Sequence, residues 1–213
     1  MYSLINRHID LVLSNVNRDL DIDTYLYLMG TFAKINVAQD EVFQLKYRTY
    51  WGLNAARLSH DFCLAYFDLM ECLRGNNNFD IEVVSRQLYE TPTHKNGRQS
   101  LQFSFASKLV HTLEPKKPIY DSRVADFFFF PPLDPTKELD IKLQALLPFY
   151  RFLCLEYERV LTKGLLEPSI TKFRSTYELD RTYTDEKIID TLIWRFVTLL
   201  RSTALRDGSI RYS

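Results

Sequence analysis

Apolar residues recur at spacings of three and four along nearly the whole chain, and no useful stretch alternates with period two, so the pattern predicts an all-α fold of about nine helices. Ile5, Ile9, Leu11, Val12 and Val16 make a first helix, and Tyr25, Leu28, Met29, Phe32 and Ala33 a second, with Asp23 as its capping candidate. Asp40 can cap a third helix carrying Phe43, Leu45, Tyr47 and Tyr50. Ser59 can cap a fourth carrying Phe62, Ala65, Tyr66, Leu69 and Leu73, which stops at Gly75-Asn76-Asn77-Asn78. Asp80 opens a helix through Val83, Val84 and Leu88 that ends before Thr91-Pro92, and Thr93 to Gln99 form a turn with Asn96-Gly97 at its tip.

A helix from about Ser100 to Leu113 follows, broken by Glu114-Pro115-Lys116-Lys117-Pro118, and Asp121 stands where the N-cap of a short helix belongs. Phe127 to Phe130 before Pro131-Pro132 read as a helix end entering the core. Lys137 to about Leu161 makes a long helix kinked at Pro148, another follows Pro168-Ser169, and a last runs from about Asp185 to Arg201, capped by Thr184, with Ile188, Ile189, Leu192, Ile193, Phe196 and Leu200 inward. With no repeat, linker or low-complexity tract, residues 1–213 read as a single compact helical domain, which two lobes around a cleft would also fit; the tail 207–213 is expected to be loose.

Composition narrows this little: 213 residues with 6 Gly and 8 Pro suit a globular core, and 14% aromatic residues suit a thick helical one. Charge says more. The 27 basic and 27 acidic residues cancel, so no global field attracts a polyanion. Residues 92–123, however, hold six basic residues against Glu114 and Asp121 alone, and a nucleic-acid partner would dock there. Cys63, Cys72 and Cys154 form no Cys-x-x-Cys pair, and His8, His60, His94 and His111 fit no metal spacing, so no metal is expected. Absent phosphate-loop, Gly-x-Gly-x-x-Gly, Gly-x-Ser-x-Gly and His-Glu-x-x-His patterns argue against a nucleotide cofactor and against serine or zinc hydrolysis. No stretch is apolar enough for a membrane span, so a cytoplasmic location is expected.

The candidate chemistry sits on the helix Phe103 to Leu113. Phe103, Ala106, Val110 and Leu113 make its apolar face, and Ser104, Lys108 and His111 a narrow polar stripe, so the Lys108 amine is flanked by Phe103, Phe105 and Leu109 and partly desolvated. Desolvation favours the neutral amine, which is the nucleophilic form. On this helix alone the residue reads as an ordinary snorkelling lysine, and Asp121, thirteen positions on, as a plain N-cap.

Taken together, Phe105-Ala106-Ser107-Lys108 and Pro118-Ile119-Tyr120-Asp121-Ser122-Arg123-Val124 resemble the helix-hairpin-helix DNA glycosylase superfamily, and most of all the archaeal-type 8-oxoguanine glycosylases. The resemblance covers about 25 residues, and the hairpin departs from it: where the superfamily reads Leu-Pro-Gly-x-Gly, this chain has Asn96-Gly97-Arg98-Gln99-Ser100-Leu101. It implies that Lys108 is a Schiff-base nucleophile and Asp121 its assisting carboxylate, within a hairpin and catalytic segment of about 92–130. Lys95, Asn96, Gly97, Arg98, Lys116, Lys117 and Arg123 are then DNA-binding candidates, the partner is damaged double-stranded DNA carrying an oxidised purine, no cofactor is needed, and the protein would associate with the nucleoid. A non-catalytic helical module of the same fold, binding DNA or another protein, is the alternative. The segments Asp40 to Tyr47 and Lys187 to Trp194 carry no assigned role.

Overall fold

The computed structural model describes residues 1–76 and 79–206. The ends of the expected stop at Asn77 and Asn78 and of the tail at 207–213 lie outside the described residues. Helix of all kinds takes 65% of the described residues, among which there are eleven α-helices and no strand, and the fold is all-α. In order these are α1 (Tyr2–Arg7), α2 (Ile9–Ser14), α3 (Thr24–Phe32), α4 (Glu41–Tyr50), α5 (His60–Cys72), α6 (Ile81–Glu90), α7 (Phe103–Leu113), α8 (Ser122–Phe127), α9 (Leu139–Thr162), α10 (Glu167–Tyr177) and α11 (Asp185–Arg201). No helix among the described residues is long and apolar enough to cross a membrane.

Local chemistry sets most of the helix starts. Asp40, Ser59, Asp80, Asp121 and Thr184 each accept a backbone N–H of the first turn of α4, α5, α6, α8 and α11, which satisfies a donor that the helix itself cannot. Two starts differ from the sequence pattern. The first helix is broken at His8 (φ −104°, ψ 20°) into α1 and α2. Asp23 caps nothing with its side chain: it ends a π-helical turn, Arg18–Asp23, that Asn17 caps by accepting from Leu20 N–H. The extra residue per turn leads directly into α3 with no break to cap. The helix expected from Ser100 begins at Phe103, and α9 continues through Pro148.

One hydrophobic cluster runs from Leu4 in α1 to Leu205 beyond α11. At its centre α11 packs against α1, α2, α8, α9 and α10, and Ile188, Ile189, Leu192, Ile193, Phe196 and Val197 have no exposed surface. Leu45 and Val83, read as core positions from spacing, face solvent at 55% and 51% exposure. The Phe127 to Phe130 block also splits. Phe127 is buried and Phe128 and Phe130 are half-buried, but Phe129 is 70% exposed at φ +55°. Phe130 N–H bonds back to the Ala125 carbonyl (2.9 Å), and the left-handed Phe129 at this helix end is turned outward.

The element that positions the candidate chemistry is α7. It is buried on all sides from Phe105 to Thr112, packed on α6 and reached from α6 through residues 91–102. A helix with no solvent face has no wet side to which a lysine can turn.

Candidate functional site

Lys108 lies in the middle of α7 at 9% exposure. Its Nζ donates to the Trp51 carbonyl at the end of α4 (3.0 Å) and lies 4.9 Å from the Phe105 ring centroid and 5.9 Å from that of Trp51. Burial pushes its pKa below the ordinary lysine value; the nearby Lys187 charge adds to that shift and the Asp121 and Asp190 carboxylates oppose it. The head of this residue therefore does not snorkel to water.

Asp121 is brought to Lys108 by a clamp between α7 and the segment before α8. The Ser107 hydroxyl accepts Tyr120 N–H (3.0 Å) while donating to the Ser104 carbonyl (2.9 Å). Asp121 Oδ1 accepts from Arg123 and Val124 N–H, both at 2.9 Å, so the residue is an N-cap in fact. Those two bonds favour the carboxylate, and the Lys108 charge helps, yet burial and the Asp190 charge outweigh them and hold the Asp121 carboxyl above its usual range. The ionised state expected from the cap alone is thus weakened by the packing around it.

A second buried pair stands beside the first. Lys187 and Asp190 on α11 are 4% and 6% exposed and joined by an ion pair of 2.8 Å. The Lys187 Nζ sits 5.2, 5.9 and 5.0 Å from the Tyr25, Tyr50 and Trp51 ring centroids. Both lysines thus share the Trp51 indole. His111, one turn beyond Lys108, bonds through Nδ1 to the Lys117 carbonyl (2.8 Å) and through Nε2 to the Tyr25 hydroxyl (2.9 Å). The carbonyl requires a proton on Nδ1, so Nε2 accepts from Tyr25. Burial and the Lys187 charge pull the His111 pKa down to about 3, which makes it a neutral spacer. The buried Tyr157 hydroxyl, within electrostatic reach of Asp190 and Asp121, has no hydrogen-bond partner among the described residues.

Lys187, Asp190, Tyr25 and Ser107 were not legible as site residues from spacing. The one signal was a Lys and an Asp three positions apart on a helix whose other sides carry Ile188, Ile189, Leu192 and Ile193. The basic candidates are placed in three different locations. Lys95, Asn96, Gly97 and Arg98 are exposed at the tip between α6 and α7, where Gly97 takes φ +79° and its N–H closes the turn on the His94 carbonyl. Lys116 and Lys117 follow the other end of α7, Lys117 3.7 Å from Glu114. Between these groups the chain runs through the 11 residues of α7, about 16 Å of helix. Arg123 stands two residues from Asp121, donates from Nε to Thr198 Oγ1 (2.9 Å) and stacks 4.6 Å over the half-buried Trp194 ring.

Two surface pockets lie away from these residues. One of about 570 Å³ is lined by α10 and the start of α11, with Glu167, Arg174, Arg181 and Asp185 in its wall. The other, of about 360 Å³, is lined by Phe32, Leu73, Phe79 and Leu113. Neither has Lys108 or Asp121 in its wall. No three His, Cys, Asp or Glu side chains among the described residues come together as a metal site. What the cluster offers chemically is an amine of depressed basicity with a carboxyl of raised pKa within electrostatic reach, and such an amine suits imine formation. No protein-family model, no curated protein and no solved structure matches this chain.

Proposed function

We propose that this protein is a DNA glycosylase with lyase activity, in which Lys108 attacks C1′ of a damaged, flipped-out nucleotide and Asp121 assists. The observation that supports it is the Lys108–Asp121 pair itself. A buried helix and an N-cap, clamped by Ser107, hold a desolvated amine and a carboxyl within electrostatic reach of each other. In this reading the neutral Lys108 Nζ forms a bond to C1′ as the bond from C1′ to the base breaks and its electron pair leaves with the base. Asp121 as carboxylate stabilises the positive charge on the sugar and takes the proton that the amine sheds. The sugar ring opens to an imine, a C2′ proton is lost, and the C3′–O bond breaks to nick the strand. Flipping is required because C1′ is out of reach inside the stack. For Nζ to reach it, Trp51 has to release the amine that its carbonyl now holds. An oxidised purine is the proposed target, and the exposed Lys95 to Arg98 turn, Lys116, Lys117 and Arg123 are the proposed contacts to the DNA backbone.

A second reading has an observation of its own. The Trp51 carbonyl occupies the Lys108 amine, which favours a non-catalytic helical module binding DNA or protein. Borohydride trapping separates the two. The purified protein is incubated with an 8-oxoguanine duplex and an abasic-site duplex, with Lys108→Gln in parallel. A covalent band lost in the variant supports the enzyme. No band on either duplex overturns it in favour of the module.

A further inference from the structure

The cluster at Trp51 contains two buried amines and poses a question of charge. Lys108 and Lys187 come from different helices, yet their Nζ atoms lie 5.9 and 5.0 Å from one indole centroid and so no more than about 11 Å apart. Their surroundings differ in kind. Lys187 has a carboxylate at 2.8 Å and three aromatic rings around it. Lys108 has a backbone carbonyl and two rings, and no ion pair among the described residues. A carboxylate repays much of the desolvation cost of a buried ammonium, and a carbonyl repays far less. The neighbouring imidazole of His111 carries no charge to alter this balance.

We propose that, of the two amines at Trp51, Lys187 is the charged one, held as an ammonium by Asp190, and Lys108 the free, nucleophilic one. Lys187 is a positioning residue in this role: it touches neither substrate nor reacting atom and acts through Lys108. The electrostatic balance agrees. Burial works against the Lys187 charge, but Asp190 and the phenols of Tyr50, Tyr183 and Tyr25 outweigh it and push its pKa well above the ordinary value. For Lys108 the order is reversed: burial prevails over Asp121 and Asp190, with the Lys187 charge on the side of burial. The groups facing Lys108 are Asp121 at the start of α8 and Lys187 and Asp190 on α11; those facing Lys187 are Asp190, Tyr25, Tyr50 and Tyr183. Trp51 joins the two amines and, through its carbonyl, holds Lys108 in place. The catalytic consequence rests on the glycosylase reading; the allocation of the proton does not.

The test is a pH titration of lysine side-chain carbon and nitrogen shifts by NMR on the intact protein labelled at lysine, with Lys108→Met and Lys187→Met used to assign the two signals. In the wild type, Lys108 is expected to titrate below the ordinary lysine value, and Lys187 to stay protonated across the range. In Lys187→Met, which removes a like charge and frees Asp190, the Lys108 midpoint is expected to rise by about one pH unit, a tenfold loss of free amine at a given pH. Borohydride trapping on an abasic-site duplex should move to higher pH by the same amount. Should Lys187→Met not fold, Asp190→Asn serves in its place, and the Lys187 midpoint should then fall into the measured range. Lys187 titrating before Lys108, or Asp190→Asn leaving Lys187 protonated throughout, would overturn the proposal. A depressed Lys108 midpoint in a wild type that traps no DNA would sustain the charge allocation and remove the glycosylase reading instead.

Discussion

Asp121 carries two roles that a pair of substitutions can separate. As a cap, its Oδ1 accepts from Arg123 and Val124 N–H at 2.9 Å each, and Asn can accept the same two bonds while Ala can accept neither. As a titrating group, it is held above the usual carboxyl range by burial and by Asp190. The sign of the linkage follows. A carboxyl whose folded pKa is raised keeps its proton more tightly in the folded state, so ionising it costs stability above the folded pKa, and that cost disappears as pH falls toward the unfolded value. Asp121→Asn therefore keeps the cap and loses the ionisation cost: its melting temperature should equal or exceed that of the wild type at neutral pH, with the gap closing as pH falls. Asp121→Ala loses the cap, worth about 1 kcal/mol, or about 2–4 °C in a chain of this size. Both should lose borohydride trapping by orders of magnitude if the carboxylate assists Lys108. The assay is thermal unfolding by circular dichroism from about pH 4 to pH 8. Equal losses in the two variants would refute the cap geometry, and an Asn variant whose advantage grows toward low pH would refute the raised Asp121 pKa.

Other consequences follow from single contacts. Ser107→Ala leaves Tyr120 N–H without its acceptor and should cost about 1–3 kcal/mol by urea denaturation; because it also loosens Asp121 against Lys108, trapping per folded molecule should slow, and a Ser107→Thr variant that keeps the hydroxyl should recover part of both. Phe129 is a bulky residue at φ +55° with 70% of its surface exposed, so Phe129→Gly should raise stability by up to about 1 kcal/mol; a clear loss would mean that the ring carries packing its exposure conceals.

Much of the helical architecture was written in the sequence because it depends on near neighbours. A cap needs one side chain and an N–H two or three residues on, so Asp40, Ser59, Asp80, Asp121 and Thr184 could be read directly. Where a start depended on something other than a cap, reading failed: the π-helical turn before α3 left Asp23 with nothing to cap. Spacing also placed Leu45 and Val83 inward, since periodicity gives a helix an apolar side without saying where neighbours end, and Phe129 was read inward only as one of four consecutive Phe.

The candidate site divides along the same line. The sequence by itself marked Lys108, from its apolar flanks, and Asp121, from its position before a helix. Only the tertiary structure decided what surrounds them. Trp51, Lys187, Asp190 and Tyr25 come from α3, the end of α4 and α11, far apart in the chain, and they meet at Lys108 because α7 is enclosed on every side. The charge of a buried lysine is set by groups a few ångströms away in space, and sequence spacing gives those distances only within a helix turn.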